Sequence, residues 1–540
     1  MREQNRQYHN MAKTASWTMV SRVLGLVRDE VIAAFFGAGA VGAAFLFAFQ
    51  IPNLFRRLLG EGALTAAAVP VLAAQTHEGG SQAAYGFLNY VIKRVLPWML
   101  AITLLGIGLA LLGMFFLHDP KQQYAAELTI WCMPYMPLIC VAALFTSAVN
   151  LSGRFGLAEI ASSALNLCMI LGIGFFGNFL AETDMGKARW LCVGALAGGT
   201  LQLLIPMWGL HQAGWRKHFM KADEQAWHAL RIAFVPAALG AGILQINFLI
   251  SRTLAFNVDG AGLTYYYIAN RIVELPIGLF STTIATVMFP AMATAFAEKD
   301  FVAMGRNYAR GMRLILAINI AAAIGFAVFS IKIVKLLFEF GQFKAQDCAN
   351  TETVLVLFSL AMPFHAMISM VTRALNVVGK TQATFHVALK SVAVNVVVSV
   401  VTIYYGYGIL GLAAANAVAA IAQYFLLRRE LQKSSPEFFS ESLLRPFLLT
   451  LGGSLIMGMI AYQICQSVAN LCQSCLNDKL NLLLSMSLGA AIGASVYAAI
   501  LYYFKYPERD LIVNGATKIQ QALLKARDRL VSLLRRGRRR

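Results

Sequence analysis

Long apolar runs separated by short polar segments fill the chain from about residue 16 to residue 504. Most runs reach the ~20 residues that a helix needs to cross the hydrocarbon core. None shows the ~10-residue alternation of a membrane-spanning strand. The pattern predicts helices near 14–36, 43–75, 88–117, 129–151, 159–180, 188–210, 227–252, 262–295, 311–337, 352–377, 384–405, 409–428, 443–466 and 481–504. This is an all-α polytopic membrane protein of about fourteen spans, with loops too short to hold a soluble catalytic domain.

An internal repeat groups the spans. Ala148-Val149-Asn150-Leu151-Ser152-Gly153-Arg154 follows the fourth span and Ala374-Leu375-Asn376-Val377-Val378-Gly379-Lys380 follows the tenth, with Asn166 and Asn395 at similar distances beyond. The second and eighth spans align more loosely, Gln50 with Asn270 and Pro70 with Pro290. Six spans is an even number, so both halves enter the membrane in the same direction, as in transporters built from parallel repeats with a cavity between them. The expected organisation is a six-helix lobe over 1–215, a second over 216–435, two further helices over 436–505 and a basic tail over 506–540.

Composition agrees: 58% of the 540 residues are hydrophobic and 13% charged, against about 25% charged in soluble domains. The formal net charge of +19 sits in loops and tails, where topology and lipid headgroups explain it better than nucleic acid does. Arg154, Arg216, Lys217, Arg306, Arg310, Arg313, Arg428 and Arg429 fall in alternate loops, which places both termini in the cytoplasm. The first 16 residues lack the short apolar core and small-residue cleavage site of a signal peptide. The tail, with its segment ALLKARDRLVSLLRR, reads as an interfacial helix on anionic lipid.

The polar residues at membrane depth carry the candidate chemistry. Arg22, Arg28 and Asp29 lie in the first span, Arg56, Arg57 and Glu61 in the second, and Arg271 with Glu274 in the eighth. A guanidinium at the bilayer centre costs about 2.5–3.5 kcal/mol on insertion scales, so such residues face a bundle interior or a watery cavity. At ~100° per residue Arg22 and Asp29 share a face, whereas Arg22 and Arg28 diverge by about 120°; Arg28 either reaches the cavity or snorkels to the interface. Arg271 and Glu274 either pair on one face or leave the arginine to the cavity. Arginines outnumber carboxylates here, which favours an anionic and diphosphate-like substrate over a cation.

Other motifs carry less. Gly379-Lys380-Thr381 lacks the first glycine of a phosphate-binding loop, because position 374 is alanine. No zinc signature or nucleophile elbow is present, so neither enzymatic chemistry nor a metal or cofactor is expected. Cys465, Cys472 and Cys475 cluster around one loop, as incidental thiols or as a disulfide if that loop faces an oxidising compartment.

The segments S-R-V-L-G-L-V-R-D at 21–29, F-G-A-G at 36–39, I-P-N-L-F-R-R at 51–57, E-G-A at 61–63, N-R-I-V-E-L-P at 270–276 and F-G-Q-F at 340–343 resemble the MurJ/MviN family. Its members are the lipid II flippases of bacterial peptidoglycan synthesis, within the multidrug/oligosaccharidyl-lipid/polysaccharide exporter superfamily. The resemblance extends over essentially the whole chain. It implies fourteen helices, a central cationic cavity, a groove at the last two helices for a polyprenyl tail, and alternating access driven by an ion gradient or the membrane potential in the inner membrane. By residue-wise carry-over, Arg22, Arg28, Arg56 and Arg271 would engage the diphosphate-sugar head of lipid II. Asp29, Glu61 and Glu274 would orient arginines or gate the lobes, and cell-wall synthesis proteins are further possible partners.

The chain departs from some members at Ala43 and Gln50, where they carry an aspartate and a lysine, and it offers no carboxylate set for sodium in the second lobe. Three other readings remain: an exporter of a different polyprenyl-linked oligosaccharide, a non-transporting scaffold for cell-wall enzymes, and a cation antiporter.

Overall fold

A computed structural model describes residues 2–154, 156–217, 223–473 and 477–510, apart from the side chains of residues 2–16, 59–62, 239, 241 and 244. These residues form helices and connecting turns, with no strand among them. Ten of the helices are long and apolar enough to cross a membrane, or eleven when Pro120–Cys132 and Tyr135–Leu151, bent by 42°, count as one span. Arg2–Phe36 and Glu224–Val258 are as long but fall outside that set. The first of them holds Arg22, Arg28, Asp29 and Glu30 in its second half. Tyr404 and Tyr503 lie exposed at helix ends, as amphipathic rings do at a membrane interface.

Local chemistry sets the helix ends. Asp119, Thr183, Asp223 and Asn477 each cap a helix, their side chains accepting a backbone N–H one turn in. Between the second and third expected spans the structure differs from the sequence reading. In place of a loop over 75–88, one helix continues past 75 to a kink at Gly80 (φ 72°), and a second runs from there to Phe116. The polar stretch there extends the helices instead of ending them.

The repeat motif is a pair of helix stops. Gly153 (φ 80°) and Gly379 (φ 73°) occupy the left-handed conformation. The Arg154 N–H donates to Val149 O and the Lys380 N–H to Leu375 O, closing each helix with the same six-residue ring. The paired asparagines also behave alike. Asn166 Nδ2 donates to Ser21 O (3.1 Å) on the first helix, and Asn395 Nδ2 donates to Asn247 Oδ1 (2.7 Å) and Ser251 Oγ (2.8 Å) on Glu224–Val258. π-Helical segments follow Pro52, at Arg56–Ala63, and Pro276, at Ile277–Ser281, close to the positions that the loose alignment of spans two and eight equates.

The chain divides into two compact units. The first comprises Met1–Ile268, Leu337–Thr351 and Asn395–Ala415; the second comprises Ala269–Leu336, Glu352–Val394 and Asn416–Arg540. Within the first, two glycine turns dock. Gly37 (φ 55°) and Gly341 (φ 57°) are both left-handed, and the Gln342 N–H donates to Ala34 O (2.8 Å). A Cβ on Gly341 would lie 2.2 Å from Ala34 O, and one on Gly37 2.7 Å from Gln342 O. These turns hold the F-G-A-G and F-G-Q-F segments.

Within the second unit, Arg313 is 8% exposed and is clamped between Glu508 (Nη2 to Oε1, 2.7 Å) and Glu441. The Tyr506 hydroxyl donates to Arg313 O (2.8 Å) and the Tyr497 hydroxyl to Ala317 O (2.7 Å). The start of the basic tail is therefore packed against the helix Phe301–Phe338; its residues from 511 onward lie outside the described set, as does Cys475. Among the described residues Cys465 and Cys472 form no disulfide, and Lys332 Nζ donates to Cys465 Sγ (2.9 Å). Gly489 and Gly493 let Asp478–Tyr503 approach the backbone of Leu444–Cys472: added Cβ atoms would come within 2.6 Å of Ala461 O and 3.1 Å of Met457 O.

Two stability predictions result. Gly341→Ala meets both an unfavourable φ and an occupied space, and should cost at least about 1–3 kcal/mol, seen as a lowered thermal midpoint in detergent. Arg313→Leu leaves Glu508 buried without its cation and should cost about 3–5 kcal/mol. The double variant Arg313→Leu/Glu508→Leu should recover part of that loss in the same melt.

Candidate functional site

On a regular helix adjacent side chains diverge by ~100°, yet Arg28 folds back onto its neighbour. Arg28 Nε and Nη2 donate to Asp29 Oδ1 (3.0 and 2.7 Å), Nη1 donates to Asn166 Oδ1 (3.0 Å) and Nη2 to the Tyr267 hydroxyl oxygen (3.4 Å). The Tyr267 hydroxyl in turn donates to Asp29 Oδ1 (3.1 Å). The side chains of Arg28 and Asp29 are 12% and 2% exposed, so this is a desolvated ion pair whose remaining valences are filled by Asn166 and Tyr267. Arg28 thus turns into the protein and does not snorkel. Asp29 and Tyr267 also border a narrow cleft of about 10 Å³, with Gly37, Gly42 and Thr264 along its wall.

Of the other predicted residues, Arg22 and Arg56 belong to the first unit. Arg22 is half-buried on the same helix and makes no ion pair among the described residues. Arg56 is half-buried, and its Nε donates to Asn53 Oδ1 (2.6 Å). The Glu61 side chain lies outside the described residues. Arg271 and Glu274 belong to the second unit, where Glu274 Oε1 accepts from Asn270 Nδ2 (2.9 Å), one turn back. His365 Nε2 shares a hydrogen bond with Asn416 Oδ1 (3.1 Å) in the same unit.

Sequence reasoning passed over three contributors. Tyr267 sits among three consecutive tyrosines with nothing in its spacing to single it out. Asn166 was marked as a repeat position, not as an arginine partner. Arg252 was assigned to the end of the span 227–252, but the helix continues to Val258, which sets Arg252 well over a turn inside it. Extending the span by that much would have flagged Arg252 as one more cation within an apolar run. It lines a second narrow cleft, of about 10 Å³, with Gln50, Arg57 and Gln245.

The second unit holds an apolar cleft of about 280 Å³ whose walls include Phe326, Phe329, Met457, Ala461 and Met486. The helices Phe301–Phe338, Leu444–Cys472 and Asp478–Tyr503 build it. A hydrocarbon chain suits such a surface, since nothing there demands a hydrogen bond.

Known proteins supply an independent comparison. The family model described as "Lipid II flippase MurJ" matches residues 32–477. Two relatives, each described as "Probable lipid II flippase MurJ", come from Haemophilus influenzae and Rhizobium meliloti. The first is 29% identical over 465 residues, spanning 82% of this chain and 89% of the relative. The second is 30% identical over 418 residues, spanning 76% and 78%. Among solved structures, "Lipid II flippase MurJ, inward closed conformation" aligns with TM-score 0.76 at 22% identity, covering 92% of this chain and 99% of that one. An inward-facing multidrug resistance MATE family transporter of the MOP superfamily aligns with TM-score 0.64 at 14% identity, covering 80% and 99%. At these identities the structural matches establish a shared fold.

The Arg28 cluster makes a graded prediction. Asp29→Asn strips a buried guanidinium of its counter-ion and should destabilise the protein by about 3 kcal/mol. Tyr267→Phe removes a hydroxyl but no charge and should cost about 1 kcal/mol. Thermal melts of the purified variants in one detergent read the order, which equal losses would contradict.

Proposed function

The chain belongs to the lipid II flippase MurJ family, and from that premise we propose that it moves lipid II from the cytoplasmic to the outer leaflet of the bacterial inner membrane by alternating access. It is a transporter and not an enzyme. The observation that carries this reading is the family match over residues 32–477; the buried Arg28 guanidinium supports it with a planar fork of donors suited to a diphosphate.

In this reading the chain crosses the membrane fourteen times with both termini in the cytoplasm. The crossings comprise a lobe over 1–215, a lobe over 216–435 and two helices over 436–505. The matching helix stops at Gly153 and Gly379 and the matching roles of Asn166 and Asn395 support a duplication. Arg22, Arg28, Arg56 and Arg271 hold the diphosphate-sugar head, because a guanidinium stays charged when dehydrated and offers a planar fork of donors. Asp29, Glu61 and Glu274 orient those arginines. The contact of Asp29 with Arg28, its Oδ1 accepting from Nε and Nη2, supports that role. An arriving diphosphate takes over donors that Asn166 and Tyr267 now satisfy. The apolar cleft of the second unit takes the polyprenyl tail. The basic tail rests on anionic lipid, and cell-wall synthesis proteins are candidate partners at that surface.

Transport of fluorescent lipid II by proteoliposomes tests the proposal. Arg28→Ala and Arg271→Ala should each lower the rate at least about tenfold, equivalent to about 1.4 kcal/mol of lost stabilisation. Arg28→Lys should rescue little, because a point charge cannot reproduce the bidentate fork. Unchanged rates in all three variants would sink the assignment of the head-group site, and no transport by the wild type would sink the function.

A further inference from the structure

Side-chain contacts join the bent pair Pro120–Cys132 and Tyr135–Leu151 to the helix Asp184–Gln212, all within the first unit. Arg189 Nε donates to Glu127 Oε1 (2.6 Å), the Cys132 and Cys192 sulfurs meet at 3.4 Å, and the Tyr135 hydroxyl donates to Gln202 Oε1 (2.8 Å). The ion pair and the thiol pair lie on one side of the 42° bend and the tyrosine on the other. Pro134 stands at the bend, where its missing N–H interrupts the helical ladder. Cys132 is the last residue of the first arm, so the thiol pair sits at the pivot.

The surroundings of the two sulfurs narrow their chemistry. Cys132 and Cys192 are each 0% exposed, and they are joined only by the weak S–H contact. Thiol–disulfide exchange passes through a mixed disulfide and so needs access that a buried thiol denies to a protein oxidant. Hydrogen peroxide is small and uncharged and meets no such barrier. A sulfenic acid formed beside a second thiol condenses with it to a disulfide. The sulfurs need close only from 3.4 Å to the ~2.05 Å of such a bond.

We propose that Cys132 and Cys192 form a redox-sensitive pair, which hydrogen peroxide converts to a disulfide that fixes the bend and slows transport. The slowing rests on the reading of the chain as a transporter; the pairing does not. Attack by one sulfur breaks the peroxide O–O bond and gives a sulfenic acid and one water. Attack by the second sulfur on the first expels the hydroxyl group as a second water, the two thiol protons ending in the waters. The peroxide is reduced and the pair oxidised by two electrons. The contacts on either side, an ion pair and a hydrogen bond, can break and re-form as the bend opens or tightens. A covalent bond between them cannot.

The full chain in proteoliposomes tests both halves. After peroxide treatment, unfolding and alkylation of the remaining thiols, peptide mass spectrometry should find the segments around Cys132 and Cys192 linked, and dithiothreitol should separate them. Transport of fluorescent lipid II should fall at least about tenfold on oxidation and recover on reduction, while Cys132→Ser and Cys192→Ser stay within about twofold of their untreated rates. The linked peptide is read on the wild type and so stands whether or not a variant folds. Oxidation of the half-buried Cys472 without a Cys132–Cys192 link would overturn the pairing. A link with unchanged transport would overturn the slowing. A wild type that carries no lipid II before treatment would remove the function and the slowing with it, and leave the pairing to be decided by the peptide.

Discussion

The cost of dehydrating a guanidinium governs the first unit. A charge taken out of water is tolerated only where geometry supplies a counter-ion and enough acceptors. Arg28 obtains these from three separated parts of the chain: Asp29 beside it, Asn166 on a distant helix and Tyr267 on another. One buried cation therefore ties together elements that apolar packing alone would leave free to slide. In a bilayer this matters more than in water, because lipid tails solvate a leucine as well as another helix does. Polar contacts then carry much of the specificity of assembly.

The two glycine turns do comparable work by another route. Gly37 and Gly341 let backbone meet backbone, so the Gln342 N–H reaches Ala34 O without any side chain mediating. Such a joint is specific because it admits no Cβ, and the Gln342–Ala34 hydrogen bond contributes about 0.5–1.5 kcal/mol net. It can be broken and remade at modest cost, whereas the Arg313–Glu508 clamp in the second unit is built to stay closed. A transporter needs both kinds of connection.

Much of this was legible in the sequence, and the reasons differ by residue. Arg22, Arg28, Asp29, Arg56, Arg271 and Glu274 announce themselves because charge within an apolar run has few explanations. Asn166 and Asn395 could be paired through the repeat, although only coordinates show that each reaches back to a specific helix. Tyr267 was illegible: a tyrosine at membrane depth looks like any other aromatic until its hydroxyl is seen on Asp29. Arg252 was lost to a boundary error, since an arginine at a helix end needs no cavity. The connection around Gly80 misled for a related reason, because polar residues at the end of a span can extend a helix as readily as stop it. How deep each arginine sits relative to its partners depends on long-range packing that no local pattern encodes.

The π-helical segments after Pro52 and Pro276 have a consequence for how this chain can vary. A π turn holds one residue more than an α turn needs, so it acts as slack within an otherwise rigid rod. Deleting one residue there would tighten the turn into α-helix and leave the hydrogen-bonding frames on both sides intact. The same deletion inside a plain α-helical stretch would rotate everything beyond it by ~100°. Length changes in these helices are therefore survivable at the very places where the polar residues must be aimed, and the aim of Arg57 is adjustable in evolution without rebuilding the span that carries it.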